Sequence, residues 1–294
     1  MAEPASIWIA RVRPWLGTLV EIRVASTDAV GALAAIDAAF ARIAALHHRL
    51  SFHAADSELA HLNREAARRA VRVHPDTATV LRAALCIAAD SQGAFDPTIA
   101  ARLVERGALP APDASPADAS ASWQDVRIDA ADRVLFRRPL WLDLGGIAKG
   151  HAVDCAVATL RERGIAQGIV NAGGDLRVFG HAAEVIHLRG TAADTGAPAL
   201  ELADGAVATS SAQDHPPRDE PLARSAVHLH GRRRRRVPPG RTVAVLAARC
   251  MIADALTKVL MADPIAGRLL LPRYAASACI HDRDGGWRLI EGHA

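Results

Sequence analysis

The sequence predicts an α+β fold, on three observations. Short β-rich apolar runs are interleaved with helices without a regular βαβ repeat. Apolar residues recur at helical spacing through a long stretch near the N-terminus, and glycine pairs close several of the strand-like runs.

Taken in order, Leu16 to Val24 (LGTLVEIRV) alternates in part and is rich in β-formers, so it reads as a strand. Asp28 to Leu50 places Leu33, Ile36, Phe40, Ile43, Leu46 and Leu50 on one side of a long amphipathic helix. Ser51 to Asn63 is polar, with a short helix starting at the capping-type Asp56-Ser57-Glu58. A second helix is predicted from about Pro75 to Ser91, stopped at Gly93. Residues 108–122, rich in Pro, Ala, Ser and Asp, read as a flexible surface insert.

A strand-like run from Trp141 to Leu144 leads into Gly145-Gly146, and a helix follows to about Arg163, ended by Gly164. Gly168 to Ala172 is a strand, and after Gly173-Gly174 another runs through Phe179. Val185 to Leu188, Ala206 to Thr209 and Thr242 to Leu246 are further strand-like runs. The last helix is expected at Met251 to Met261, before a closing hairpin around Asp284-Gly285-Gly286. The length, 294 residues, suits a single domain, with room for two closely packed lobes.

Composition narrows the function classes. Half of the residues are hydrophobic and 23% are charged, as in an ordinary globular protein, while only 4% are aromatic, so few rings are available to stack on bases. The net charge is +3, and the block Arg232 to Arg236 supplies much of it. That block reads first as a solvated loop, next as a steering surface for an anionic cofactor or acidic target, and last as a nucleic-acid contact. No nucleic-acid partner is expected. Cys86, Cys155, Cys250 and Cys279 lie far apart with no C-x-x-C pair and read as reduced thiols. Met1-Ala2-Glu3-Pro4 does not open a positive n-region followed by an apolar stretch, and no bilayer-crossing run is expected, so cytoplasmic action is the expectation.

Chemistry concentrates in four places. In Asp143-Leu144-Gly145-Gly146-Ile147-Ala148-Lys149-Gly150 a carboxylate ends a strand, glycines turn the chain and a helix begins. A helix start offers free N–H groups and partial positive charge to a phosphate, and Lys149 adds a cation. A plain strand-to-helix turn fits the pattern equally well. Asn171-Ala172-Gly173-Gly174-Asp175 either lets a bulky ligand approach the backbone or is a simple hairpin turn. Asp254, Thr257 and Lys258 share a helix face, where carboxylate and hydroxyl oxygens could hold Mg²⁺ or where Lys258 pairs with Asp254. Gly93-Ala94-Phe95-Asp96-Pro97-Thr98 is turn chemistry by itself.

Each motif is weak alone; their order is specific. With Leu16-Gly17-Thr18, Ser51-Phe52 through Asp56-Ser57-Glu58-Leu59 and Asn63, Asp154, Val207-Ala208-Thr209-Ser210 and Ala253-Asp254-Ala255-Leu256, the series resembles the FAD:protein FMN transferase (ApbE-type) family across most of the chain. The resemblance implies mixed, mostly antiparallel sheets with packed helices. It implies FAD as substrate, Mg²⁺, and a target flavoprotein whose Thr or Ser hydroxyl receives FMN as AMP leaves. Hydrolysis of FAD to FMN and AMP, or flavin binding without catalysis, are the alternatives. By similarity, the Ala148 carbonyl and Asp254 would hold the metal, helped by Thr257. Thr18, Ser57, Asp96, Thr98, Gly145, Gly146, Lys149, Asn171, Gly173, Gly174 and Asp175 would line the flavin and phosphate cleft.

The chain departs from the family pattern twice. The family reads A-D-A-L-[ST]-T, and its last threonine, a metal ligand, is here Lys258. Either Thr257 substitutes, or the lysine ammonium supplies charge in the metal's stead. The family's H-I-I-D-P-x-T-G motif corresponds to Ser225-Ala226-Val227-His228-Leu229-His230-Gly231, where only a histidine survives. His228 is the first candidate for acid/base work and His230 the second.

Overall fold

Leu16 and Gly17 take positive φ, 58° and 74°, and turn strand β1 (Ile7–Trp15) back along β2 (Thr18–Ser26). The expected strand therefore starts at Thr18, not Leu16, because these two residues form the hairpin turn. Strand β1 has no counterpart among the expected elements. The computed structural model describes residues 6–188, 198–212, 228–282 and 286–292.

Helix α1 (Ala29–Leu50) is capped by Asp28, whose carboxylate accepts the N–H groups of Val30 and Gly31. Its apolar stripe, including Ile36, Phe40 and Ile43, is fully buried. Among the described residues it is the one helix long and apolar enough, by length and composition, to cross a membrane; here that stripe belongs to the core. Helix α2 (Glu58–Glu65), β3 (Val71–Arg72), α3 (Pro75–Asp90) and α4 (Ala100–Glu105) follow. Residues 108–122 form neither helix nor strand; the Trp141 indole donates to the Ser115 carbonyl and Asp118 N–H to the Pro139 carbonyl. Then come β4 (Val126–Ile128), β5 (Arg133–Phe136), α5 (Ala148–Glu162), β6 (Gln167–Ala172), β7 (Asp175–Phe179), β8 (Glu184–His187) and β9 (Ala199–Leu202). Strands β10 (Gly205–Ala212) and β11 (Arg241–Ala247), helices α6 (Cys250–Ala262) and α7 (Pro264–Leu270), and strands β12 (Ser277–His281) and β13 (Trp287–Ile290) complete the chain.

Eight strands form one sheet in the order β1-β2-β6-β7-β10-β11-β12-β13, every neighbouring pair antiparallel. Strands β3, β5 and β4 make a small second sheet, and β8 pairs with β9. Helices stand on this framework, so the class is α+β. Two further expectations change. Helix α6 is not the last, because Asp263 ends it and caps α7. Residues 141–144 belong to no strand and join no sheet, so Asp143 does not follow a strand. Strands β12 and β13 do close the chain as a hairpin pair, though the turn at Asp284-Gly285 lies outside the described residues.

Candidate active site

Two helix starts meet at the centre. Asp154 of α5 reaches the start of α6 and accepts the N–H groups of Cys250 and Met251, both at 3.0 Å, as well as Arg177 at 2.9 Å. An acidic side chain at a helix N-terminus satisfies free donors and complements the dipole. Gly150 lets the helices touch: a Cβ there would stand 2.3 Å from the Cys250 carbonyl oxygen. Its N–H donates to Asp254 Oδ2 at 3.1 Å, which carries α6's carboxylate into the junction.

Asp254 is fully buried, and its Oδ1 receives the Lys258 ammonium at 2.7 Å. The same ammonium donates to Ser210 Oγ at 2.7 Å and Thr257 Oγ1 at 3.0 Å, and lies 3.4 Å from the Asp254 carbonyl. Beside it, Lys149 pairs with the buried Asp175, whose other oxygen accepts the Thr209 N–H at 3.3 Å. Burial pushes the Asp254 carboxyl up, but Lys149 and Lys258 outweigh it and leave the pKa below the ordinary value. Burial opposes the charge on Lys149, yet Asp175 and Asp254 hold its pKa above normal. For Asp175, burial and the charge of Asp254 push its pKa up against Lys149. Two lysines thus face two buried aspartates.

The turns around this cluster are tied by hydrogen bonds, some of them between residues far apart in the chain. Asn63 receives the Leu142 N–H and donates to the Leu142 carbonyl, and Asp143 N–H donates to the Pro97 carbonyl at 2.8 Å. Asp143 Oδ1 then accepts the Gly145 N–H at 2.9 Å. Gly146 passes so close to Phe95 and Lys258 that a Cβ would stand 3.2 and 3.3 Å from their side-chain carbons. On the other side Gly173 and Gly174, φ 64° and 98°, form the two-residue turn between β6 and β7. Asn171 braces that turn by accepting the Gly174 N–H at 2.9 Å.

Against the Gly145-Gly146 turn lies a cavity of about 320 Å³. Six of the expected residues wall it: Asp96, Gly145, Gly146, Lys149, His228 and Lys258. Burial, then the charge of Lys258, lowers the His228 pKa to about 4, so its imidazole is neutral at neutral pH. His230 is excluded from this wall; its Nδ1 accepts the Arg233 N–H and its Nε2 stands 4.0 Å from Asp263.

Asp254, Thr257 and Asp175, all fully buried, sit behind the two lysines. Thr18, Asn171, Gly173 and Gly174 belong to the β6–β7 turn and its neighbour, and do not reach the cavity wall. Ser57 is the buried cap of α2, accepting the Ala60 N–H and donating to the Ser51 carbonyl, so its hydroxyl is committed away from the cleft. Thr98 is similarly committed, donating from both N–H and hydroxyl to Asp96 Oδ1.

Residues outside the expected site also contribute. Ser210 binds Lys258 and Thr257, and its position after the buried run Val207-Ala208 was the available signal. Arg234, from the arginine block, reaches Asp96 at 3.3 Å and the Ala121 carbonyl at 2.6 Å, so one of the five is a brace for the cavity wall. No sequence spacing could connect it with Asp96.

The resemblance implies a divalent ion held by Ala148, Asp254 and Thr257. Ala148 opens α5 and does not wall the cavity, and the oxygens of Asp254 and Thr257 are already engaged by Lys258. With the lysine in place this donor set does not fit Mg²⁺. Elsewhere Asp76, His151 and Cys155 lie within 4.8 Å of one another, but Arg42 and Arg49 occupy the Asp76 carboxylate. All four cysteines are free.

The ApbE family model matches residues 16–279. The chain is 32% identical to the FAD:protein FMN transferase of Treponema pallidum (strain Nichols) over 192 residues, 58% of this chain and 53% of that protein. It is 33% identical to the FAD:protein FMN transferase of Rhodobacter capsulatus over 179 residues, 56% of this chain and 33% of that one. The matches thus span about half and about a third of these relatives. The crystal structure of the ApbE protein of Thermotoga maritima MSB8 superposes with a TM-score of 0.79 at 25% identity, covering 96% of this chain and 97% of that one. The apo flavinyl transferase ApbE of Pseudomonas stutzeri shares the fold with a TM-score of 0.81 at 22% identity and full coverage of both chains. On the family match, the shared fold and the motif order, this chain belongs to the ApbE family.

Proposed function

We propose that this protein transfers FMN from FAD to a threonine or serine hydroxyl of a target flavoprotein, releasing AMP. The observation that carries this reading is the cavity wall itself, where Lys149, Lys258 and a neutral His228 converge beside glycine turns. A pyrophosphate brings negative charge, which suits the two lysine ammoniums in the wall and the N-terminus of α5. The family membership and the names of the curated relatives support the same substrate.

In this reading the acceptor hydroxyl oxygen attacks the FMN phosphorus. The bond to the AMP phosphate breaks, and AMP departs with its electron pair. His228, neutral at working pH, takes the hydroxyl proton. Lys149 and Lys258 offset charge on the phosphoryl oxygens as the bond breaks, a stabilisation that is largest in a site preorganised for it. Gly145 and Gly146 let Asp143, Phe95 and Lys258 pack close to the turn that walls the cavity. Mg²⁺ would supply the same charge compensation in a site whose oxygens were free.

The experiment is incubation of the protein with FAD, with and without a candidate target flavoprotein domain. AMP is followed by chromatography and the target by in-gel flavin fluorescence. Fluorescent target with one AMP per label supports transfer. AMP with no label on several acceptor domains points to hydrolysis, and tight FAD binding without AMP makes the protein a flavin binder.

A further inference from the structure

Resting on the FMN-transfer reading for its substrate, we propose that the Lys258 ammonium is the resident cation of this site, so that the protein handles the FAD pyrophosphate without a divalent metal. The geometry is that of a filled cation site. Oxygens of Asp254, Ser210 and Thr257, from α6 and β10, converge on one nitrogen at 2.7, 2.7 and 3.0 Å. These are the hard oxygens that a small divalent ion takes, but such an ion needs them at about 2.0–2.1 Å in a near-octahedral set. An ion placed there would collide with Nζ.

The lysine is also held against leaving. Its stem packs on Gly146, with Cγ 3.3 Å and Cε 3.9 Å from where a Cβ would stand, and its side chain is only 19% exposed. All three ammonium donors have partners, so the group acts on a bound phosphate through its charge.

Charge balance gives the same answer independently. Asp254 and Asp175 are fully buried, and Lys258 and Lys149 match them one for one. Before a pyrophosphate binds, a divalent ion would add two positive charges to these four groups, which already balance. Removing the Lys258 ammonium would leave Asp254 short of its direct partner, and a buried carboxylate without one is the condition that recruits a metal. Lys258→Thr should therefore turn a metal-free site into a metal-requiring one.

The test uses the 294-residue chain and its Lys258→Thr variant, with folding checked by circular dichroism. Mn²⁺ is titrated with and without FAD, and the loss of the free-ion paramagnetic signal is read. FAD affinity is measured by flavin fluorescence in chelator and in Mg²⁺. The wild type should remove no Mn²⁺ beyond the FAD-alone control and should bind FAD equally well in both media. The variant should take up one Mn²⁺ and lose roughly tenfold or more in FAD affinity when chelator is present. Uptake of one Mn²⁺ by the wild type, or chelator-sensitive FAD binding by it, overturns the proposal; this arm needs no substitution to fold. A folded variant that takes up no Mn²⁺ overturns it too, because those oxygens would not then be a cation site. If no target is labelled and no AMP appears from either protein, the transfer reading fails, while the titrations still decide the cation.

Discussion

The Asn63 side chain pairs with the Leu142 backbone as a strand would, donating to its carbonyl at 3.1 Å and accepting its N–H at 2.8 Å. The next residue is Asp143, which opens the glycine turn at the cavity. Asn63→Ala should leave two buried backbone groups unpaired, each costing roughly 1–3 kcal/mol. Urea denaturation should show that loss, and FAD titration should show weaker binding because the turn is no longer anchored. An unchanged midpoint would remove Asn63 from this role.

Asp254 and Lys258 should be far more costly to break singly than together. Asp254→Asn leaves an ammonium facing a neutral amide in a buried site, at about 3–5 kcal/mol. The double variant with Lys258→Met should recover part of that loss. A double-mutant cycle by chemical denaturation measures the coupling, and additive effects would mean that the pair contributes little to folding.

The pH dependence of His228 has a definite sign. Its pKa is lowered to about 4 in the folded protein, against an ordinary 6.5. Between those values the unfolded chain binds more protons, so stability falls as pH drops from 6.5 towards 4. The slope from this one group is at most about 1.4 kcal/mol per pH unit. His228→Asn should flatten stability across that window. In the wild type, the acid limb of kcat/KM for transfer should lie below 6.5, and a limb at 6.5 would identify a different base.

Gly150→Ala tests the contact between the two helix starts. A Cβ there would meet Cys250 O at 2.3 Å and Met251 N at 2.7 Å, both backbone atoms that cannot swing aside. Overpacking of this kind costs roughly 1–3 kcal/mol and should also lengthen the hydrogen bond to Asp254. Thermal denaturation reads the first effect and FAD affinity the second. A variant as stable as the wild type would show that the helices can separate freely.

What was legible in the sequence follows from where the signals are local. Helix α1 is readable because Ile36, Phe40 and Ile43 bury one stripe at helical spacing. Strand β1 is not, since it lies at the sheet edge with Ile7, Trp8 and Val12 all exposed and no buried face to set a period. The pairing of Asp254 with Lys258 could be read from their spacing on one helix, but Ser210 comes to the cluster from β10 and Lys149 from α5, which only the tertiary fold brings together. Ser57 and Thr98 carry ordinary capping and turn chemistry in the sequence, and the fold uses them for that. His228 and His230 are two residues apart, yet one faces the cavity and the other Asp263, a distinction made by the loop's path alone.

The long reach of the contacts that build the cleft bears on how the protein is made. Gly150 meets Asp254 across 104 residues of chain, and Asp96 meets Arg234 across 138. Synthesis proceeds from the N-terminus, so Lys149 and Asp175 leave the ribosome well before α6. Until that helix arrives, the growing polypeptide has no Asp254, no Lys258 and no second helix for Asp154 to cap. A half-made chain therefore presents no finished cleft, and the site is assembled only after α6, Cys250–Ala262, has been made.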